Sequence, residues 1–265
     1  MKSVRFSRVM STLLSLLLGS SCFAAGPGAK FINYYEILLK YLGINEASLH
    51  DWIPVVGGIV SLAIITVLGL RYRKAVEGLS DDVSPDPVFG VRSLVEGLLG
   101  FVHGVAGSVI GEKKVLGFLP LLSSLFIFIL ISNLTGLIPG FIPATESINT
   151  NIAMALCVFF AYNYAGIKEH GGGYVKQFLG PVAFLAPLML IIEMVGHLAR
   201  PLSLSLRLYG NIFGDHLVLS VFTGLTYAVL PALLLFFGLL VASLQSFVFT
   251  LLSSIYISLA ISHDH

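Results

Sequence analysis

Charge is the scarcest ingredient of this 265-residue chain. Asp, Glu, Lys and Arg together make up 11% of it, and hydrophobic residues 56%. A soluble domain carries about a quarter charged residues, so a water-soluble globule is excluded. The net charge of +1 leaves no basic excess to attract nucleic acid. Cysteine is nearly absent too. Cys157 lies in an apolar run, where a thiol serves as a small packing residue, and Cys22 lies near the end of a leader-like segment. No CxxC pair or Cys/His spacing is available to hold a metal. The triple glycine of "IKEHGGGYVKQF" lacks the GK[ST] of a phosphate loop and reads as a plain flexible loop. With no nucleophile–base pair either, the chain is expected to carry no cofactor, no metal and no nucleotide chemistry of its own.

Long apolar runs take the place of charge. A membrane-spanning helix needs about 20 such residues, and the runs here are far longer than the ~10-residue alternating strands of an outer-membrane barrel. The chain begins "MKSVRFSRVMSTLLSLLLGSSCFAAGPGA", with Lys2, Arg5 and Arg8 before an apolar stretch and small residues near Ala24. This is the grammar of a cleaved signal peptide over 1–24; an uncleaved anchor is the alternative. An external segment, 25–51, follows. The first span is expected at 53–70, ending at Arg71, Arg73 and Lys74, which fixes that end in the cytoplasm by the positive-inside rule. Further spans are expected at 116–138 and 151–166, joined by "PGFIPATESINT", which has no Lys or Arg and is assigned to the outside. Between the first two spans, Gly90, Gly97, Gly100, Gly104, Gly107 and Gly111 form one stripe on a helix over about 88–111. Such a face admits a second helix closely, so this segment is read as an amphipathic surface helix packed on a neighbour.

Two segments resist this treatment. Residues 217–261 contain no charged side chain, and 45 residues of helix would extend about 68 Å against a hydrocarbon core of about 30 Å. Either Pro231 divides them, or one helix lies steeply tilted. Residues 178–215 are apolar yet carry Glu193, His197, Arg200, Arg207 and Asp215. With Glu193 as the origin on an ideal helix, His197, Arg200, Arg207, Asn211 and Asp215 all fall within one stripe roughly 80° wide. Ionisable groups on one stripe inside a membrane mark ion pathways by default. A packing ladder in which Glu193 pairs with His197 or Arg200 is the bland alternative. It does not serve Arg207, which has no acidic residue within seven positions on either side. A guanidinium stays charged, so Arg207 can relay no proton; it suits a carboxylate on another chain, or a barrier to cations.

"RPLSLSLRLYGNIFGDH", followed by "LQSFVFTLLSSIYISLAISH", closely resembles the subunit a signature of F-type ATP synthases. "ISNLTGLIPGF", "PATESINTNIAMAL" and "GPVAFLAPLMLIIEMVGHLARP" are similar to that family as well, from residue 50 onward. The resemblance implies an all-α integral membrane protein with about five inserted helices plus the surface helix. The last two, about 178–215 and 217–261, would form a long, tilted hairpin, and 52–265 a single membrane domain. It implies a stator subunit of the bacterial inner membrane, N-terminus outside and C-terminus cytoplasmic. Its partners would be a c-subunit ring, b-type peripheral stalk subunits and the rest of the synthase. Two offset half-channels would carry protons to and from the ring carboxylates. The family's essential arginine falls on Arg207, its polar neighbours on Asn211 and Gln245, and a half-channel acid on Glu193.

One position departs from the family. Bacterial members place a carboxylate nine residues after the arginine, paired with a histidine seven before the glutamine; here these positions hold His216 and Gly238. Asp215 and His216 are therefore expected to supply the titratable groups of the outer half-channel jointly, with Gly238 leaving room for them. Two other functions compete: a secondary cation/proton transporter, and a purely structural membrane subunit. No second copy of the Glu193–Asp215 pattern is found to support an inverted-repeat transporter.

Overall fold

The computed structural model describes residues 33–44, 46–77, 90–138, 140–171, 186–225 and 229–262. The leader, the loop after the first span, most of the triple-glycine loop and the C-terminal His263–Asp264–His265 lie outside the described residues. Within them the architecture is helical, without strands: α1 Tyr34–Tyr41, α2 Glu46–Glu77, α3 Val91–Ile110, α4 Glu112–Gly136, a 3-10 turn Ala144–Glu146, α5 Ile148–His170, α6 Ala186–Leu225 and α7 Val229–Ile261. All but α1 and the turn are long and apolar enough to cross a membrane, α3 included. Length and composition do not make α3 a crossing: the Tyr34 N–H donates to the Gly140 carbonyl, so the start of α2 and the turn after α4 lie at the same end, and α4 alone returns the chain there.

Local chemistry explains the element ends. The Asn33 side chain accepts from the backbone N–H groups of Tyr35 and Glu36 and so caps α1. Gly111, at φ 93, turns the chain from α3 into α4, a conformation that glycine adopts without steric cost. α2 starts upstream of the expected 53–70 and runs through Arg71–Lys74 to Glu77, with Pro54 in its interior. The break expected between 215 and 217 is absent: α6 continues to Leu225. The end of the charge pattern does not end a helix, because backbone hydrogen bonding continues whether side chains are charged or apolar. Pro231 sits in the first turn of α7, where its missing N–H would find no intrahelical acceptor anyway, and so it divides nothing.

The core lies among α3 to α7. Phe126 and Ile129 of α4, Val158 and Tyr162 of α5, Leu204 and Leu208 of α6, and Phe249 and Ile257 of α7 are all buried there. Small hydroxyl residues let α7 sit deep in this bundle. Ser246, Thr250, Ser253 and Ser254 are buried, and each donates to the carbonyl four residues earlier. This satisfies the hydroxyls within their own helix and keeps the surface compact for close packing.

The glycine stripe of α3 does not do the same. α3 packs through Val102, Ala106 and Ile110, and Gly97, Gly100 and Gly104 lie on the opposite side of the helix. A Cβ added at Gly97, Gly100, Gly104, Gly107 or Gly111 would meet nothing within 4 Å. The expected close approach is therefore not made by any described helix of this chain. It occurs instead at Gly57 and Gly136. There a Cβ would lie 2.7 Å from the Ile142 carbonyl oxygen and 2.7 Å from Pro143 Cγ, respectively.

Candidate functional site

Helix α6 carries the polar stripe, and its packing sorts the residues. Leu204, Ser205, Leu208 and Ile212 face the bundle. About 100° round the helix from Leu208, Arg207 is exposed, with exposed Leu206 and Phe213 about a further 100–120° round on the side away from Leu208. Among the described residues Arg207 has no salt bridge and no side-chain hydrogen bond. One turn on, the exposed Asn211 turns inward at its tip: its Nδ2 donates to Oε1 of Gln245 on α7 at 2.6 Å. Gln245 itself is buried. This contact fixes the register of α6 against α7 beside the arginine.

Ten residues earlier, about 15 Å along the axis, lies a second polar group. His197 Nε2 is 3.0 Å from Asn163 Oδ1 of α5, and its ring meets Phe159 and Tyr162 edge-on. The Tyr162 hydroxyl donates to the His197 carbonyl at 3.5 Å. Arg200 lies over the Tyr256 ring of α7, 5.8 Å from its centroid. Glu193 is half-buried and forms no salt bridge with either neighbour among the described residues, so the packing ladder weighed against an ion path does not form.

A third group stands about 14 Å beyond Arg207 in the other direction. His216 Nδ1 lies 2.8 Å from Oε2 of Glu146, on the 3-10 turn between α4 and α5. The imidazole also faces the backbone of Gly136 at the end of α4. Asp215, about 100° away on the helix, is half-buried and makes neither a salt bridge nor a side-chain hydrogen bond among the described residues. The space beside Gly238 is used differently from the expectation. A Cβ there would sit 2.8 Å from Leu137 Cδ2, so the glycine makes room for Leu137 at the end of α4. Neither Asp215 nor His216 occupies that space.

The turn bearing Glu146 is gripped from several sides. Thr145 Oγ1 donates to Asn133 Oδ1 at 2.7 Å, and Asn151 Nδ2 to the Thr145 carbonyl at 2.8 Å, all three side chains buried. The Tyr34 N–H donates to the Gly140 carbonyl at 3.0 Å, and both Tyr34 and Tyr35 pack on Phe141. Sequence reasoning missed Glu146 and Asn163. A signal for the first was present: Glu146 is the only charged residue from 139 to 167.

The arrangement is a fixed cation on an exposed apolar face, with one polar cluster on either side of it along α6. The family profile described as ATP synthase A chain matches residues 53–258. ATP synthase subunit a of Geobacter sp. (strain M21) is 40% identical over 239 residues, covering 89% of this chain and 97% of that protein. That of Bdellovibrio bacteriovorus is 44% identical over 209 residues, covering 78% and 90% respectively. The "ATP synthase subunit a 2" of Syntrophotalea carbinolica is 48% identical over 176 residues, covering 66% and 75%. The chain belongs to the ATP synthase subunit a family and is a multi-pass membrane component of the F-type complex.

Proposed function

We propose that this chain provides the two offset half-channels through which protons reach and leave the carboxylates of a rotating c ring. Arg207 is the fixed positive charge between them. It attracts each ionised ring carboxylate in turn, favours release of its proton, and prevents a direct leak from one half-channel to the other. Asn211 and Gln245 hold the helix that carries it. Glu193 and His197 line the inner half-channel; Asp215 and His216 belong to the outer one. One charge crossing 100 mV releases about 2.3 kcal/mol, so several protons must pass for each ATP made elsewhere in the complex.

The observation that carries this reading is the exposed Arg207 with no counterion among the described residues of its own chain. An unneutralised guanidinium is costly in lipid, and a carboxylate presented by a neighbouring rotor removes that cost. The outward glycine stripe of α3 offers a face to a helix of another subunit, and b-type stalk subunits would complete the stator. The charge pattern supports a bacterial inner-membrane orientation with the Glu146 turn outside and the C-terminus cytoplasmic. A signal peptide before the mature chain accords with it.

The test is ATP-driven acidification of inverted vesicles carrying the assembled complex. Arg207→Ala is expected to abolish it without loss of assembly, and the parent is expected to acidify equally with and without Na⁺. Acidification at the parental rate by Arg207→Ala would refute the reading.

A further inference from the structure

We propose that Glu146, on the turn between α4 and α5, is the acid of the outer half-channel and exchanges its proton directly with His216. The inference rests on the half-channel reading above and extends it to a residue on a different element from the polar stripe.

Three observations converge. The contact is short, 2.8 Å from Nδ1 to Oε2, with both side chains about one quarter exposed, so the pair is not sealed inside this chain. The turn is built to hold its position. Thr145, Asn133 and Asn151 fix it from beneath, Gly57 and Gly136 accept its backbone and Pro143 at van der Waals limits, and α1 holds the preceding loop. Finally, the place where the family's histidine would stand is Gly238, and Leu137 fills the space beside it. A partner for His216 cannot come from there.

The acid–histidine pair is thus retained with its members exchanged and its acid relocated. The histidine sits on α6, and the acid is supplied by the turn. A proton from outer water adds to the Glu146 carboxylate and passes to His216 Nδ1. The imidazolium then turns from Glu146 and releases that proton from Nδ1 to channel water leading toward Arg207 and the c ring. One proton has moved inward, and once the ring has turned back both groups are as they began. Asp215 is the other titratable neighbour of His216. α4 and α7 present no charged residue at this level, and Asp51 is exposed near the start of α2. A purely structural bridge would need only a hydrogen-bond acceptor at position 146, and that difference is measurable.

In inverted vesicles carrying the full complex, Glu146→Gln keeps the shape and the acceptor but not the titratable group. It is expected to assemble normally and to lower ATP-driven acidification by about tenfold or more, the scale of a lost acid–base group. Passive proton conductance of vesicles stripped of the catalytic head should fall in parallel. Glu146→Asp should retain part of the activity, and the exchange Glu146→His with His216→Glu should recover more than either single change. Glu146→Gln acidifying within about twofold of the parent would overturn the proposal. So would failure of both Glu146→Gln and Glu146→Asp to assemble, which would make the residue structural. If Glu146→Asp alone assembles, a shifted pH profile of acidification supports the proposal and an unchanged one overturns it. Arg207→Ala in the same vesicles separates the two levels: its inactivity beside a fully active Glu146→Gln removes only the role of Glu146.

Discussion

Gly136→Ala tests how tightly the outer turn is held. The added Cβ would lie 2.7, 2.9 and 3.0 Å from Cγ, Cδ and Cβ of Pro143. Ordinary contact begins near 3.4 Å, so the turn must retreat by several tenths of an ångström. A proline ring cannot rotate out of the way. Retreat is opposed on the other side, because the Ile142 carbonyl already sits where a Gly57 Cβ would be, at 2.7 Å. Overpacking of this kind costs about 1–3 kcal/mol. Gly97→Ala is the matched control: it lies within α3, its Cβ meets nothing, and it should gain up to about 1 kcal/mol of helix propensity. Thermal or denaturant unfolding of the full chain in detergent, at matched protein concentration, reads the difference. Opposite signs are expected for the two variants in the isolated chain, with reduced acidification for Gly136→Ala. Equal or greater stability of Gly136→Ala would refute the expectation.

Other variants probe the rest of the site. Asn211→Leu and Gln245→Leu, alone and together, form a double-mutant cycle on unfolding. A coupling of about 0.6 to 1.7 kcal/mol is expected, the range for polar contacts between membrane helices, and zero coupling would remove the 2.6 Å contact from the account. Lys114 and Glu169 bridge α4 and α5 at 2.7 Å with both side chains partly exposed. Lys114→Ala should therefore cost less than about 1 kcal/mol and leave transport intact. Arg207→Ala should preserve the amount and thermal stability of the isolated chain in detergent. It removes a cation that has no partner among the described residues of its own chain, whereas breaking a buried pair costs about 3–5 kcal/mol. A large drop in the stability of the isolated chain would contradict the unpaired state.

Much of the fold was legible because membrane insertion writes itself into composition. Runs such as 53–70 are long and apolar enough to cross a membrane, and the helices found there are too. The helix ends were less legible. α6 outlasts its charged stripe by ten residues, to Leu225, since an apolar sequence looks the same before and after such a boundary. Arg207, Asn211 and Gln245 were legible from pattern and resemblance together. Glu146 and Asn163 were not, because their partners, His216 and His197, lie 70 and 34 residues away. Periodicity on one helix cannot report what another element brings to it. The glycines of α3 show a related limit. Spacing identifies a face without side chains but not which molecule, if any, covers it.

The central claim is that the counterion of Arg207 is carried past it by another polypeptide. The distance from the guanidinium to surrounding carboxylates in the assembled membrane sector measures this directly. A ring carboxylate is expected within ion-pair range, about 4 Å, with Glu193 and Asp215 remaining beyond it. Arg207 bound instead to either of those acids of its own chain, and turned away from the ring, would contradict it.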